Sequence, residues 1–333
     1  LSGSPESPTV LVLGAGGNVS QGILKALALS ELRPRVVAAC VTSRAAGLYW
    51  ADAGYVSPYA DDPAFLPWLF DLCERERVDA VLSGVEPVLG ALAGCAAELE
   101  AAGTVALVSP PEKLEIGVDK LATARWLEAA GLNAPATVDA ADAAAVERLL
   151  EDRGYDLIAK PRRGKGSRGV FEVGGPEELA YARSRPDYVL QERLGDAESE
   201  YTVACFSDRE GNVRGSFAMR RGLEQGTTAW AEVGEHPLAR AEAIRIATAL
   251  APLGPCNAQL REHEGRAVCF EINVRFSGTV PIRARFRFND VDATLRHYLL
   301  GEPAADLPLV TSGLALRYWA EEYVEPGGEI EAR

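Results

Sequence analysis

From Thr9 to about residue 111 the chain alternates short apolar runs with helix-length amphipathic stretches. The order is VLVLG, a helix from about Gln21, VVAACV, a helix over about 65–77, AVLSG, a helix over about 92–99, and VALVS. Apolar runs of this kind predict parallel strands buried on both faces, and the alternation predicts a doubly wound α/β unit. The pattern changes after Pro110-Pro111. A helix over about 118–130, closed by Gly131, leads into a smaller α/β segment: a helix over 143–150, a strand at DLIAK, a glycine-rich loop, a strand at VFEV, a helix after Pro176 and a strand at DYVLQE. Longer β runs follow. EYTVACFSD and VRGSFAMR flank a turn at 209–212, and a helix over about 237–250 leads to NAQLRE. Glu264-Gly265-Arg266 then turns the chain into CFEINVRFSG.

That last run carries the most chemistry. Read as a strand, it sends Glu271, Asn273 and Arg275 to one face at roughly 6.6 Å spacing, where the first two can share one ion. Phe270, Ile272, Val274 and Phe276 then point into a core and hold the polar row rigid. Arg275 is too far along an extended strand to pair with Glu271, so its guanidinium is left for a phosphate or an oxyanion. An ordinary half-solvated strand with a polar outer face would read the same way.

A second motif answers the first. Lys160 ends the apolar DLIAK run and is followed by PRRGKGSRGV, in which Gly164, Gly166 and Gly169 leave the backbone free to wrap an anion beside Ser167. It is not a P-loop: the GxxxxGK[ST] spacing is missing and the loop runs into another strand. Charge and glycine also mark mobile surface loops. The turn Gly14-Ala15-Gly16-Gly17 invites a dinucleotide reading, but Val19 stands at the third fingerprint position and Thr42-Ser43-Arg44 offers no acid for a ribose.

Length, 333 residues, allows more than one packed unit. The formal charge of −14 argues against nonspecific attraction to nucleic acid or an anionic membrane, yet leaves room for a local phosphate pocket. No apolar run approaches the roughly 20 residues needed to cross a bilayer, and the start lacks the pattern of a secretory signal. A soluble cytoplasmic protein is expected, with residues before Val10 outside the fold. Six scattered cysteines without a CxxC pair read as reduced buried thiols, and three histidines offer no zinc cluster.

Taken in order, GVDKLATARWLEAAGL, IAKPRRGKGSRGV, VLQERL, EYTV, NAQL and EINVR resemble the ATP-grasp superfamily, and most closely the ATP-grasp domain of the carbamoyl-phosphate synthase large subunit, over about 116–298. The resemblance implies an N-terminal pre-ATP-grasp domain over 1–115 and a two-lobed ATP-grasp domain over 116–326, with a flap subdomain at about 134–190. It implies ATP and Mg²⁺ or Mn²⁺ as cofactors. ATP would meet Lys120, Lys160, the loop Gly164, Gly166, Ser167 and Gly169, the hinge Gln191, Glu192, Arg193 and Leu194, and the ribose acid Glu200. Gln259, Glu271 and Asn273 match the metal ligands; Arg275, with Lys160, matches the catalytic cations. The reaction implied is phosphorylation of a carboxylate to an acyl phosphate followed by attack of an amine, which needs positioning and charge neutralisation rather than a protein nucleophile. Small-molecule carboxylate and amine partners are expected, with no nucleic acid or membrane; a homodimer is left open. A kinase that stops after phosphoryl transfer, a nucleotide-binding regulator with a decayed site and an NAD oxidoreductase are the competing readings.

Further candidates stand outside the motifs. Arg283, Arg285 and Arg287 fall at alternate positions, a row for a substrate carboxylate or phosphate, or else a charged face paired with acids elsewhere. Ser277 and Gly278 sit at the end of the key run as further substrate candidates. The resemblance also implies that Arg220 and Arg221 sit in a loop near the triphosphate. Ser83 and Glu86 follow a strand end, where open α/β sheets collect ligands; capping of the next helix is the competing and favoured reading.

Overall fold

The computed structural model describes residues 7–164, 166–195 and 197–330; the first six residues lie outside them. The N-terminal unit is a five-stranded parallel sheet in the order β3-β2-β1-β4-β5, made of β1 (Thr9–Leu13), β2 (Arg35–Cys40), β3 (Ala53–Val56), β4 (Ala80–Ser83) and β5 (Val105–Ala106). Helix α1 (Asn18–Leu27) covers one face; α2 (Phe65–Glu76), α3 (Glu86–Gly94) and α4 (Ala96–Ala101) cover the other. β1 is buried throughout because Leu11 and Leu13 meet α2 and α3 while Val10 and Val12 meet α1. The doubly wound reading holds, with β3 an addition to it. The helix expected over 92–99 is instead two, split at Cys95.

Helices α5 (Pro111–Val118) and α6 (Lys120–Ala129) follow where one helix was expected. Asp119 breaks them: its extended backbone ends α5, and its carboxylate accepts from the N–H groups of Leu121 and Ala122 to start α6. Burial alone would raise the Asp119 carboxyl, but the Arg162 guanidinium at 2.5 Å and these N–H groups bring it below its ordinary value. Lys120 is thereby fixed at a helix start.

A four-stranded antiparallel sheet forms the flap, in the order β6-β9-β7-β8: β6 (Thr137–Asp139), β7 (Leu157–Pro161), β8 (Phe171–Val173) and β9 (Tyr188–Glu192), backed by α7 (Ala143–Arg153) and α8 (Pro176–Ser184). The larger antiparallel sheet runs β14-β13-β10-β11-β12-β15, from β10 (Glu200–Ser207), β11 (Val213–Glu224), β12 (Thr227–Gly234), β13 (Gly254–His263), β14 (Arg266–Asn273) and β15 (Ser312–Leu316). Helix α9 (Pro237–Leu250) packs Ala239, Ala243, Ile246 and Leu250 under one face, against Val203, Cys205, Ala258 and Ile272. The opposite face is divided: Phe206, Phe217, Met219, Ala231 and Val233 are buried in a second core, and Glu200, Thr202, Gln259 and Glu271 form a polar patch beside it. α10 (Val280–Arg285) and α11 (Asp290–Thr294) then join this sheet to α1, through a core that runs from Val10 and Ile23 to Met219, Phe276 and Val280. This shared core fixes the C-terminal end of β4 beside the end of β14.

All six cysteines are free and buried. No described helix is long and apolar enough to cross a membrane.

Candidate active site

The polar face of the large sheet is built by pairing register. Gln259 lies opposite both Thr202 and Glu271, and Asn273 lies two residues beyond Glu271 on the same face. Glu271 Oε1 accepts from Gln259 Nε2 at 2.7 Å and from Asn273 Nδ2 at 3.2 Å. Turning the two amides would present three oxygens to one cation, a set with a single charge that suits Mg²⁺ keeping phosphate and water as its other ligands. Among the described residues no group of three or more His, Cys, Asp or Glu side chains could hold a metal by itself.

The strand departs from strict alternation. A register shift opposite Gln259 and Leu260 lets Cys269 take the buried position, and Phe270 lines the cleft instead of the core. Phe270 offers its ring to Lys160 Nζ at 5.6 Å and to Arg261 at 5.9 Å. The strand also ends at Asn273, so Arg275 stands past it.

Glu200 is gripped from two sides, by Arg221 at 2.8 Å and Arg261 at 3.0 Å. Arg221 also donates to Gln259 Oε1 at 2.6 Å, so it bridges the ribose candidate and the metal candidate. The expected loop at Arg220 and Arg221 is strand β11. Its alternation turns only Arg221 inward, while Arg220 pairs with Glu232.

Across a cleft of about 210 Å³ the flap supplies Lys160 and its loop. Lys160 is 6% exposed and donates to Gln191 Oε1 at 2.7 Å, and Gln191 in turn donates to Thr137. Lys120 reaches the Gly164 carbonyl at 3.1 Å, and Gly164, Gly166 and Ser167 line the cleft with it. Gly169 is held further back, where its carbonyl accepts from Tyr188 at 3.0 Å. In the hinge, Glu192 pairs with Arg153 at 3.0 Å and Arg193 with Glu172 at 3.4 Å, so both acidic and basic side chains brace the flap. The Leu194 carbonyl accepts from Arg261 at 3.0 Å.

Burial pushes the Lys160 ammonium down to about 8, against the pull of Glu271, and the Lys120 and Arg261 charges add to the fall. An anionic ligand would raise it again. Binding of MgADP, whose phosphates supply such an anion, should therefore take up close to one proton at about pH 9 and almost none at about pH 6.5, with affinity falling as pH rises through 8. Calorimetric titration of MgADP in buffers of different ionisation enthalpy measures this; equal uptake at both pH values would contradict it.

Gly226, at the turn between β11 and β12 with φ +71°, touches the flap: a Cβ there would overlap the backbone of Gly166. Gly226→Ala should hold the flap off and raise the KM for ATP about tenfold, the effect of roughly 1–2 kcal/mol of overpacking and strain. Steady-state kinetics check it, and a change under about twofold would show the contact to be dispensable.

A second cleft of about 420 Å³ opens at the end of the same strand, lined by Asn273, Val274 and Arg275, by Glu86, Pro87 and Leu89 of α3, by Leu114 and Glu115 of α5, and by Arg163. Arg275 pairs with Glu86 at 2.8 Å and donates to the Phe276 carbonyl at 2.9 Å. Glu86 is thus brought to the site. Ser83 is not: it is buried, bonded to Leu13 and accepting from the Val85 N–H as a turn cap.

The arginine row requires correction. Residues 280–285 form a helix, with Pro281 in its first turn, so 283, 285 and 287 do not share a strand face. Arg283 is 0% exposed and fully engaged by Asp290 at 2.6 Å, Ser277 and Thr279, which removes Arg283 and the Ser277 hydroxyl from the substrate candidates. Arg285 is exposed on the far end of α10. Gly278 lines neither cleft; its carbonyl accepts from Arg317. Phe270, Arg261 and Arg317 were not among the sequence candidates.

Three family models match the chain: the PylC-like N-terminal domain over residues 10–107, the ATP-grasp domain over 118–222, and the ATP-grasp in the biosynthetic pathway with Ter operon over 184–322. The carbamoyl phosphate synthase large chain of Rubrobacter xylanophilus is 25% identical over 328 residues, covering 91% of this chain and 30% of that relative; the chain thus spans about a third of the relative's length. Among solved structures, the biotin carboxylase domain of Hydrogenobacter thermophilus 2-oxoglutarate carboxylase, in complex with MgADP, ADP and bicarbonate, superposes with TM-score 0.67 at 18% identity, over 86% of this chain and 68% of that one. The L-amino acid ligase from Bacillus licheniformis gives 0.66 at 19% identity, over 89% and 75%. These two likenesses concern the fold. With the family models following one another along a parallel sheet, a flap bearing Lys160 and an antiparallel sheet bearing Glu271 and Asn273, the chain belongs to the ATP-grasp superfamily.

Proposed function

We propose that this protein is an ATP- and Mg²⁺-dependent ligase that activates a carboxylate as an acyl phosphate and couples it to an amine. One observation carries the reading: a single strand, β14, borders two clefts, with Glu271 in the one roofed by Lys160 and the flap and Asn273 in the one bearing Arg275 and Glu86. Nucleotide in the first would aim its terminal phosphate at an acid in the second. In this reading residues 1–115 supply the substrate side and 116–326 the nucleotide side, with about 134–190 as the flap.

Phe270 and the hinge backbone at 192–194 would take the adenine and Glu200 the ribose. Lys120, Lys160 and the loop amides at Gly164, Gly166 and Ser167 would neutralise phosphate charge. Gln259, Glu271 and Asn273 would hold Mg²⁺, whose contribution when bound is to screen the phosphates and hold them in line. A carboxylate oxygen then attacks the γ-phosphorus, the bond to ADP breaks, and Arg275 steadies the transferring group. The amine next attacks the acyl carbon and phosphate leaves. Glu86, the carboxylate nearest Arg275, stands where the incoming ammonium would shed its proton. The likeness to a protein named as an L-amino acid ligase supports the ligase reading.

An ADP-release screen across amino acids and small carboxylates, singly and in pairs, with mass detection of products, tests the proposal. Pair-dependent release with a coupled product is expected. Release with a stable phosphorylated acid and no amine requirement would make the protein a kinase, and no acid-stimulated release at all would overturn both readings.

A further inference from the structure

Arg317 follows the edge strand β15, far along the chain from every motif of the site. Its place is set by pairing. Ala315 lies opposite Ala231, Ala231 lies opposite Arg221, and the Arg317 N–H continues the ladder to the Ala229 carbonyl at 2.8 Å. Residues two apart in a strand share a face, so Arg317 stands on the face that carries Arg221, Gln259 and Glu271. Ala231 and Ala315, between the two arginines, are packed on the core that holds Phe276 and Phe286, and Arg317 stands at the margin of that core with Arg221 as its neighbouring charge.

Its partners set it apart. Arg221, Arg261, Arg275 and Arg283 each pair with a carboxylate, whereas the Arg317 guanidinium meets only the Gly278 carbonyl among the described residues. Burial holds this guanidinium below its ordinary range, and the neighbouring Arg221 charge lowers it further. A half-buried, planar donor fork with most of its N–H groups unmet, and a second cation beside it, is a site that an anion would stabilise. Gly278 lies past Arg275 in the chain and faces the Asn18 side chain at the start of α1. The Gly278 contact ties Arg317 to the segment three residues past Arg275, the residue that lines the second cleft.

We propose that Arg317 binds the carboxylate of the acid substrate as it receives the phosphoryl group. The inference rests on the acyl-phosphate reading above. In the step it serves, the C–O–P bond forms, the phosphorus–oxygen bond to ADP breaks and no proton moves; Arg317 remains charged and balances the anion before and after transfer.

Arginine labelling by phenylglyoxal, read by peptide mass spectrometry on the full chain with MgADP, tests this directly. Arg317 should label well ahead of buried Arg283. Acetate, compared with chloride at equal ionic strength, should slow labelling at Arg317 about fivefold or more. Inorganic phosphate is the second probe: stronger protection by phosphate than by acetate would make this a phosphate subsite and overturn the proposal, as would equal protection by chloride. With the acid found in the screen, Arg317→Gln should raise the acid's KM about 10- to 100-fold with the KM for ATP unchanged, and Arg317→Lys should recover part of the loss. If Arg317 only tethers Gly278, both KM values and the melting temperature will move together. Acid-independent ADP release would sink the ligase reading while leaving the labelling result to stand.

Discussion

Glu271→Gln should lower ADP formation by about 10³-fold while leaving the fold intact, since the loss of a metal-assisted charge balance is worth several kcal/mol. The substitution keeps the shape of the side chain and at least one acceptor oxygen for Gln259 and Asn273. What it removes is the only formal charge among the three candidate ligands. The Mg²⁺ concentration needed for half-maximal turnover should rise accordingly. A second readout comes from Lys160. Glu271 raises the Lys160 pKa against the effect of burial, so its neutralisation should let that value fall below about 8. The window of proton uptake on MgADP binding should then move to lower pH, the direction opposite to any effect of simply loosening the flap. A turnover loss under about tenfold, with an unchanged Mg²⁺ requirement, would remove Glu271 from the metal set.

The sequence pattern reached this site where the chemistry is local. Gly164, Gly166 and Gly169 closely follow Lys160, and Glu271 and Asn273 are two residues apart, so composition and period suffice to find each motif. It failed where one residue or one distant pairing decides. A period of two cannot see the register shift at Leu260 and Cys269, and that shift is what turns Phe270 into the cleft. The arginines at 283, 285 and 287 mimic a strand because apolar residues separate them, but a proline in the first turn starts a helix there, and Asp290 seven residues on claims Arg283. Arg317 carried no signal at all. Its position follows from β15 pairing with a strand more than eighty residues earlier, a contact invisible to any local reading. Glu86 fell between these cases: its place at a strand end was legible, while its ion pair with Arg275 depends on the core shared by α1 and α10.

Arg275→Ala should cost about 10²–10³ in kcat, or roughly 3 to 4 kcal/mol, by analogy with deleting one preorganised donor to a developing oxyanion. The ion pair with Glu86 makes the prediction more specific than a charge deletion. In the free protein the Arg275 guanidinium is committed to Glu86 and to the Phe276 carbonyl, so it can meet a phosphoryl or acyl oxygen only by sharing or releasing that carboxylate. Arg275→Ala would therefore remove the oxyanion donor and also leave Glu86 facing the second cleft without its partner. Arg275→Lys keeps the charge but loses the planar fork, and should fall between the wild type and the alanine variant. Glu86→Gln separates the two roles. If Glu86 only restrains Arg275, freeing the arginine should leave the amine KM unchanged; if Glu86 receives the incoming ammonium, the amine KM should rise while acyl phosphate formation, followed by ADP release in the absence of amine, continues. A loss under about fivefold for Arg275→Ala would take Arg275 out of the catalytic step and reduce its pairing with Glu86 to a clasp between the two sheets.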